Sequence, residues 1–228
     1  MRSLKPRRPD VDKLTIPVGD ESVSGLLLRP EGAKALYLFA HGAGAGMMHK
    51  AMESSAQGLA ARGIATLRYQ FAYMEKGSKR PDRPPVAHAA VRAAAAEAAK
   101  LAGDLPLFAG GRSFGGRMTS QAQALEPLSN VSGLAFLGFP LHPAGKSGID
   151  RADHLANVKI PMLFVSGSRD ALAEIDLLEP VVGGLSDRAT LHIIEGADHS
   201  FRVAAKEAEA LDAMAEWMLR LAAAAAAD

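Results

Sequence analysis

The sequence predicts an α/β fold: a mostly parallel central sheet flanked by helices on both faces. Three observations carry this. Strand-like and helix-like segments alternate from residue 35 to the end, which implies parallel strands joined by helical crossovers. Several strand candidates are almost wholly apolar, as strands buried on both faces are. With 228 residues, 48% of them hydrophobic, the chain has the length of one domain and enough apolar surface for a substantial core.

Residues 14–18 and 23–28 read as two strands joined by Gly19-Asp20-Glu21, with no helix between them, so the sheet should begin antiparallel. Residues 35–40 form the first buried strand. A helix over 49–62 follows, carrying Met52, Ala56 and Leu59 on one face. The next strand covers 64–69. Residues 71–85 hold Gly77, Pro81, Pro84 and Pro85 among mixed charges and read as a long loop. An alanine-rich helix over 86–102 leads into a strand at 105–109 and a helix at 118–125. Strands at 134–139, 160–165 and 191–194 complete the sheet, with a proline- and glycine-rich stretch at 140–150. The last helix places Leu211, Met214, Met218 and Leu221 at steps of three and four. No internal repeat or domain boundary appears. The expected organisation is a flexible basic tail at 1–12 and a single domain at 13–223, with the alanine run at 222–227 a fraying helix end.

Composition narrows the function. A net charge of +1 argues against nucleic acid or an acidic membrane surface as partner. The absence of cysteine excludes disulfides, a thiolate nucleophile and cysteine-ligated metals. No apolar segment follows the basic N-terminus, and none approaches the ~18 residues of a membrane span. A cytoplasmic protein is expected, and its alanine-rich helices are compatible with a homodimer. No metal-ligand spacing is present, and neither metal nor cofactor is expected.

The chemistry concentrates at Gly110-Gly111-Arg112-Ser113-Phe114-Gly115-Gly116, a G-x-S-x-G turn between strand and helix. Such a turn strains the serine backbone and lifts the hydroxyl above the sheet, and its small flanking residues let strand and helix approach. A serine hydroxyl needs a base to take its proton, and the base needs a carboxylate to orient it. Asp170 follows a strand through Ser166-Gly167-Ser168-Arg169 and is the acid candidate; its alternative reading is an N-cap for a helix over 171–179. Asp150, Asp153 and Asp198 do not directly follow a strand. Of the histidines at 41, 49, 88, 142, 154, 192 and 199, only His199 lies after the acid on a loop at a strand's C-terminal end. His192 falls inside a strand and should pack there.

An oxyanion requires two backbone N–H donors. The Phe114 amide, at the helix start, supplies one. The second should come from His41-Gly42-Ala43-Gly44-Ala45-Gly46-Met47, with Ala43 first and Gly44 next; His41 should shape this loop. The loop lacks both dinucleotide and Walker spacing, which argues against a phosphate cradle. Three features bear on the substrate. Arg112 either pairs with a nearby carboxylate or binds a substrate carboxylate. His142, in Pro140-Leu141-His142-Pro143, either lines the site or is a surface turn residue. The basic loop 75–83 either attracts an anionic substrate or is simply solvated.

These residues resemble those of the α/β-hydrolase superfamily. More narrowly, they resemble those of a small lidless group that includes dienelactone-hydrolase-like proteins, testis-expressed protein 30 and a chromatin-associated non-specific-lethal complex subunit. The likeness is carried by the His41–Met47 loop, Lys79-Arg80-Pro81-Asp82-Arg83-Pro84-Pro85, Gly110 to Arg117, and Phe139-Pro140-Leu141-His142-Pro143-Ala144-Gly145-Lys146. Gly167-Ser168-Arg169-Asp170 and Gly196-Ala197-Asp198-His199 extend it across most of residues 35–201. It implies a minimal hydrolase core without a large cap domain. The elbow serine departs from the cysteine nucleophile of dienelactone hydrolases, so general ester hydrolysis is expected instead. Some relatives serve as interaction modules, so a non-catalytic binding role on the same fold is the alternative expectation.

Overall fold

The computed structural model describes residues 11–226. Eight strands form one sheet: β1 (Val11–Val18), β2 (Glu21–Leu28), β3 (Ala35–Ala40), β4 (Ile64–Tyr69), β5 (Leu107–Arg112), β6 (Val131–Leu137), β7 (Met162–Gly167) and β8 (Ala189–Ile194). Their order is β1-β2-β4-β3-β5-β6-β7-β8. β2 is antiparallel to both its neighbours, and every pairing from β4 to β8 is parallel. The antiparallel start and the parallel remainder agree with the sequence.

The helices are α1 (Lys50–Ala60), α2 (Ala72–Glu75), α3 (Pro84–Ala102), α4 (Phe114–Leu125), α5 (Ile175–Gly183) and α6 (Ala204–Ala225), with a 3-10 segment at Asp150–Asn157. The two faces of the sheet are covered separately. Ala35, Tyr37 and Phe39 of β3 point into one core with Met52 and Leu59 of α1 and Met214, Trp217 and Met218 of α6. The alternate residues Leu36, Leu38 and Ala40 face a second core shared with α3 and α4. Two-sided burial explains why β3, β4, β5 and β7 are buried at every position. In α3 the stripe Ala87, Ala90, Ala94 and Ala98 is fully buried, so a helix of small side chains lies close on the sheet.

Several boundaries differ from the sequence reading. Most of the tail expected at 1–12 lies outside the described residues, but Val11 and Asp12 belong to β1, paired with Leu28 and Leu27. The stretch 71–85 is not all loop: it contains α2, and Pro84 and Pro85 open α3, where a missing N–H costs nothing. α6 continues to Ala225. His192 is exposed on β8, an edge strand, rather than packed.

Candidate active site

Three loops meet above the C-terminal edge of the parallel strands. The first is the turn from β5 to α4. Ser113 holds φ 47° and ψ −116°, a backbone conformation non-glycine residues rarely adopt and which costs on the order of 1–3 kcal/mol. The glycines around it are required by contact. A methyl on Gly115 would lie 2.6 Å from the His41 carbonyl oxygen, and one on Gly111 would lie 2.4 Å from that of Ala40. The elbow therefore packs directly against the end of β3.

The other two loops follow β7 and β8 and are laced together. Arg169 N–H donates to the Ala197 carbonyl at 2.9 Å, Ser168 N–H to that of Ile194 at 3.0 Å, and Gly196 N–H to Ser168 Oγ at 2.7 Å. This lacing brings Asp170 to His199. Asp170 has no exposed side-chain surface; its carboxylate accepts from Leu172 N–H at 2.8 Å and from His199 Nδ1 at 2.8 and 2.9 Å. His199 Nε2 stands 2.8 Å from Ser113 Oγ. With Nδ1–H donated to the carboxylate, Nε2 is the acceptor for the serine proton. Because α5 starts at Ile175, after Glu174, Asp170 does not cap it.

The loop after β3 is held from behind. His41, with none of its surface exposed, donates Nδ1–H to the Gly42 carbonyl at 2.8 Å and accepts Phe71 N–H at Nε2 at 3.1 Å. Burial lowers its pKa to about 4, which keeps the ring neutral, and the Phe71 N–H fixes the tautomer by occupying Nε2. Gln70 Oε1 accepts Met47 N–H, Arg68 donates to the Met47 carbonyl, and Gly44 N–H donates to Tyr73 Oη at 3.2 Å. The Gly44 amide is thus directed at Tyr73, away from the cleft. Ala43 is exposed and borders it. Phe114 opens α4, so its N–H is among the first-turn donors that have no acceptor within the helix.

A cleft of about 690 Å³ opens over Ser113 and His199, walled by Ala43, Ala45, Leu137 and Leu172. Its far side is the N-terminus of α1, with His49, Lys50, Met52 and Ser54, together with Glu207 of α6. The position of α1 was implicit in the sequence: a helix that directly follows the β3 loop must begin at this edge of the sheet.

Three expectations about the substrate side need correction or refinement. His142 does not border the cleft. Its imidazole is buried, 2.5 Å from Glu174 Oε2 and bonded to the Pro143 carbonyl, because Leu141 N–H pairs with the Leu172 carbonyl and turns the segment toward the acid loop. The basic loop 75–83 is not among the walls either, and its Lys76 pairs with Glu21 of β2. Arg112 does border the cleft, but its guanidinium is paired with Glu207 at 2.8 Å. Asp198 caps the histidine loop, accepting from Ser200 N–H and Arg202 N–H.

This strand order, with a serine elbow between β5 and α4, defines an α/β-hydrolase without a large cap. A family model described as an alpha/beta hydrolase domain matches residues 33–227, and the chain belongs to that family. Among solved structures, a dienelactone hydrolase from Anabaena variabilis matches at 23% identity and a TM-score of 0.77, covering 94% of this chain and 99% of that one. Est1E of Butyrivibrio proteoclasticus, with ferulic acid bound, matches at 18% identity and 0.74, covering 92% and 99%. A lidless α/β serine hydrolase from Xanthomonas campestris matches at 18% identity and 0.70, covering 96% of each chain. At these identities the structural matches speak for the fold, and together with the family they support a hydrolase. No helix among the described residues is long and apolar enough to cross a membrane.

Proposed function

We propose that the chain is a serine hydrolase of small or medium carboxylic esters, acting through Ser113, His199 and Asp170. One observation carries the reading: an unbroken series of 2.8 Å contacts runs from Ser113 Oγ through His199 to the buried Asp170 carboxylate, on the floor of an open cleft. Ser113 Oγ attacks the ester carbonyl carbon as its proton passes to His199 Nε2. Asp170 stabilises the resulting imidazolium without taking a proton. The amides of Phe114 and Ala43 hold the oxyanion. Collapse breaks the bond to the alcohol oxygen, which leaves with the proton from Nε2. Water then attacks the acyl-enzyme, gives its proton to Nε2, and the acid departs as Ser113 is re-protonated. The cleft admits a substrate of modest size, and no wall residue of it is a cysteine.

Labelling with a fluorophosphonate probe tests this. Wild-type protein should label at one site, and Ser113→Ala should not label while remaining folded. Ser113→Ala and His199→Ala should each lower ester turnover by several orders of magnitude. A folded wild type that neither labels nor turns over esters would refute the proposal and favour a binding role for the cleft.

A further inference from the structure

Arg112 ends β5 immediately before Ser113, and its residue surface is only 9% exposed. A guanidinium this deep is costly unless its donors are met. Nη2 donates to Glu207 Oε1 at 2.8 Å and to Ser55 Oγ at 3.0 Å, and Nη1 donates to the Ser200 carbonyl at 3.1 Å. Glu207 is itself fixed: its other donors are Ser55 Oγ at 2.7 Å and Ser54 Oγ at 3.0 Å, both on α1. One guanidinium thus joins β5, α1, α6 and the loop that carries His199.

The bond to Ser200 falls at a consequential place. Ser200 directly follows His199, and Phe201 after it holds φ 49° although it is not glycine. The turn that aims the imidazole is therefore one its own backbone does not favour, and something outside it must hold it. Arg112 has little left for a ligand. Three of its five N–H groups are engaged. Nε–H is sealed from solvent with no partner among the described residues, so the two-pronged fork that grips a carboxylate is not available.

We propose that Arg112 is a positioning residue for the general base, with Glu207 as the counter-charge that keeps it in place. The inference rests on the hydrolase reading in naming His199 as the base; the geometry it invokes does not depend on turnover. Arg112 holds the His199 turn against the elbow, so that Ser113 Oγ and His199 Nε2 stay within reach of each other.

The double variant Arg112→Met/Glu207→Leu tests this. It removes both charges together and leaves no buried ion unpaired, so stability should change little. The rate of fluorophosphonate labelling and kcat should fall by about 10- to 100-fold, the scale expected for a misplacement of about 1 Å, with KM little changed. A second readout is independent of catalysis. The His199 Nδ1 proton, bonded to Asp170, should give a slowly exchanging downfield NMR signal in the wild type and lose that protection in the variant. Should the double variant fail to fold, Arg112→Lys replaces it. An ammonium retains the Glu207 pair but cannot span Glu207, Ser55 and Ser200 at once, and the signal should again lose protection. A folded variant with wild-type labelling and an undisturbed His199 signal would overturn the proposal. A folded wild type that neither labels nor turns over esters refutes the hydrolase reading instead, and the NMR comparison still decides the role of Arg112.

Discussion

His41 should make the protein acid-sensitive in a way that can be isolated. Its ring is fully buried, packed edge-on against Phe71 at 4.9 Å, and accepts the Phe71 N–H. Protonation would set an N–H donor against another donor, and burial accordingly lowers the pKa from 6.5 to about 4. The sign follows from proton binding. Between these two values the unfolded chain takes up a proton that the folded chain refuses, so stability falls as pH falls. Linkage for a single such group gives losses of about 1 kcal/mol at pH ~6, about 2 at pH ~5 and about 3 at pH ~4, relative to neutral pH. Carboxylates titrate in the same range, so wild-type stability alone does not isolate the term. The comparison is with His41→Gln, whose amide oxygen still accepts the Phe71 N–H but does not titrate. The variant should be less stable near pH 8, having lost the ring contacts. Its deficit should then shrink by about 3 kcal/mol by pH ~4, because only the wild type carries a buried histidine whose protonation favours the unfolded chain. Urea unfolding followed by circular dichroism at several pH values measures both curves. A deficit that stays constant from pH 8 to 4 would show that His41 is not held neutral.

Other perturbations reach the remaining parts of the site. Asp170→Asn should lower kcat by on the order of 10⁴-fold, because an amide no longer fixes the tautomer of His199, while thermal unfolding shifts only modestly; steady-state kinetics of the folded variant decides, and full activity would exclude Asp170 as the acid. Gly115→Ala should destabilise by about 3 kcal/mol, because its methyl would meet the rigid backbone of Ala40 and His41 and force the elbow off β3; calorimetry showing an unchanged Tm would contradict the close approach. The His142–Glu174 pair should act at mildly acidic pH. The Pro143 carbonyl first, and Glu174 with it, raise the His142 pKa; the bond to its own amide, then His142, lower that of Glu174. The stability the pair contributes is therefore present above the carboxylate range and below the histidine range, and is lost as pH rises through the raised His142 value. Glu174→Gln should differ from wild type most between pH ~5 and ~6.5, and less above; a difference that grows with pH would reverse the assignment.

The parts of the molecule legible in the sequence are those set by neighbours along the chain. The elbow is local: small residues on either side of Ser113 and apolar flanks sufficed to locate it. The same glycines obscured the strand. Gly110 and Gly111 read as turn, yet they continue β5, paired with Ala135 of β6 and Ala40 of β3. They are glycine because those neighbours leave no room for a side chain, which is a tertiary reason invisible in the local pattern. The prolines that open α3 misled in the same way, since a proline ends one element and starts the next with equal ease.

What chain order did not disclose was partnership. His142 follows a strand end just as Asp170 does, yet one turns to Glu174 and away from the cleft while the other meets His199. Backbone bonds between loops decide this, and no single segment encodes them. Arg112 and Glu207 are 95 positions apart, but the pair left a mark. Glu207 lies four residues before Leu211 and seven before Met214, on the stripe α6 turns to the core. A carboxylate on such a stripe must be met by donors, and an arginine at the buried end of a strand must be met by a carboxylate. Charged residues that interrupt an apolar period are therefore the residues whose distant partners sequence reasoning should seek, and here that search leads to the Arg112–Glu207 pair beside the His199 turn.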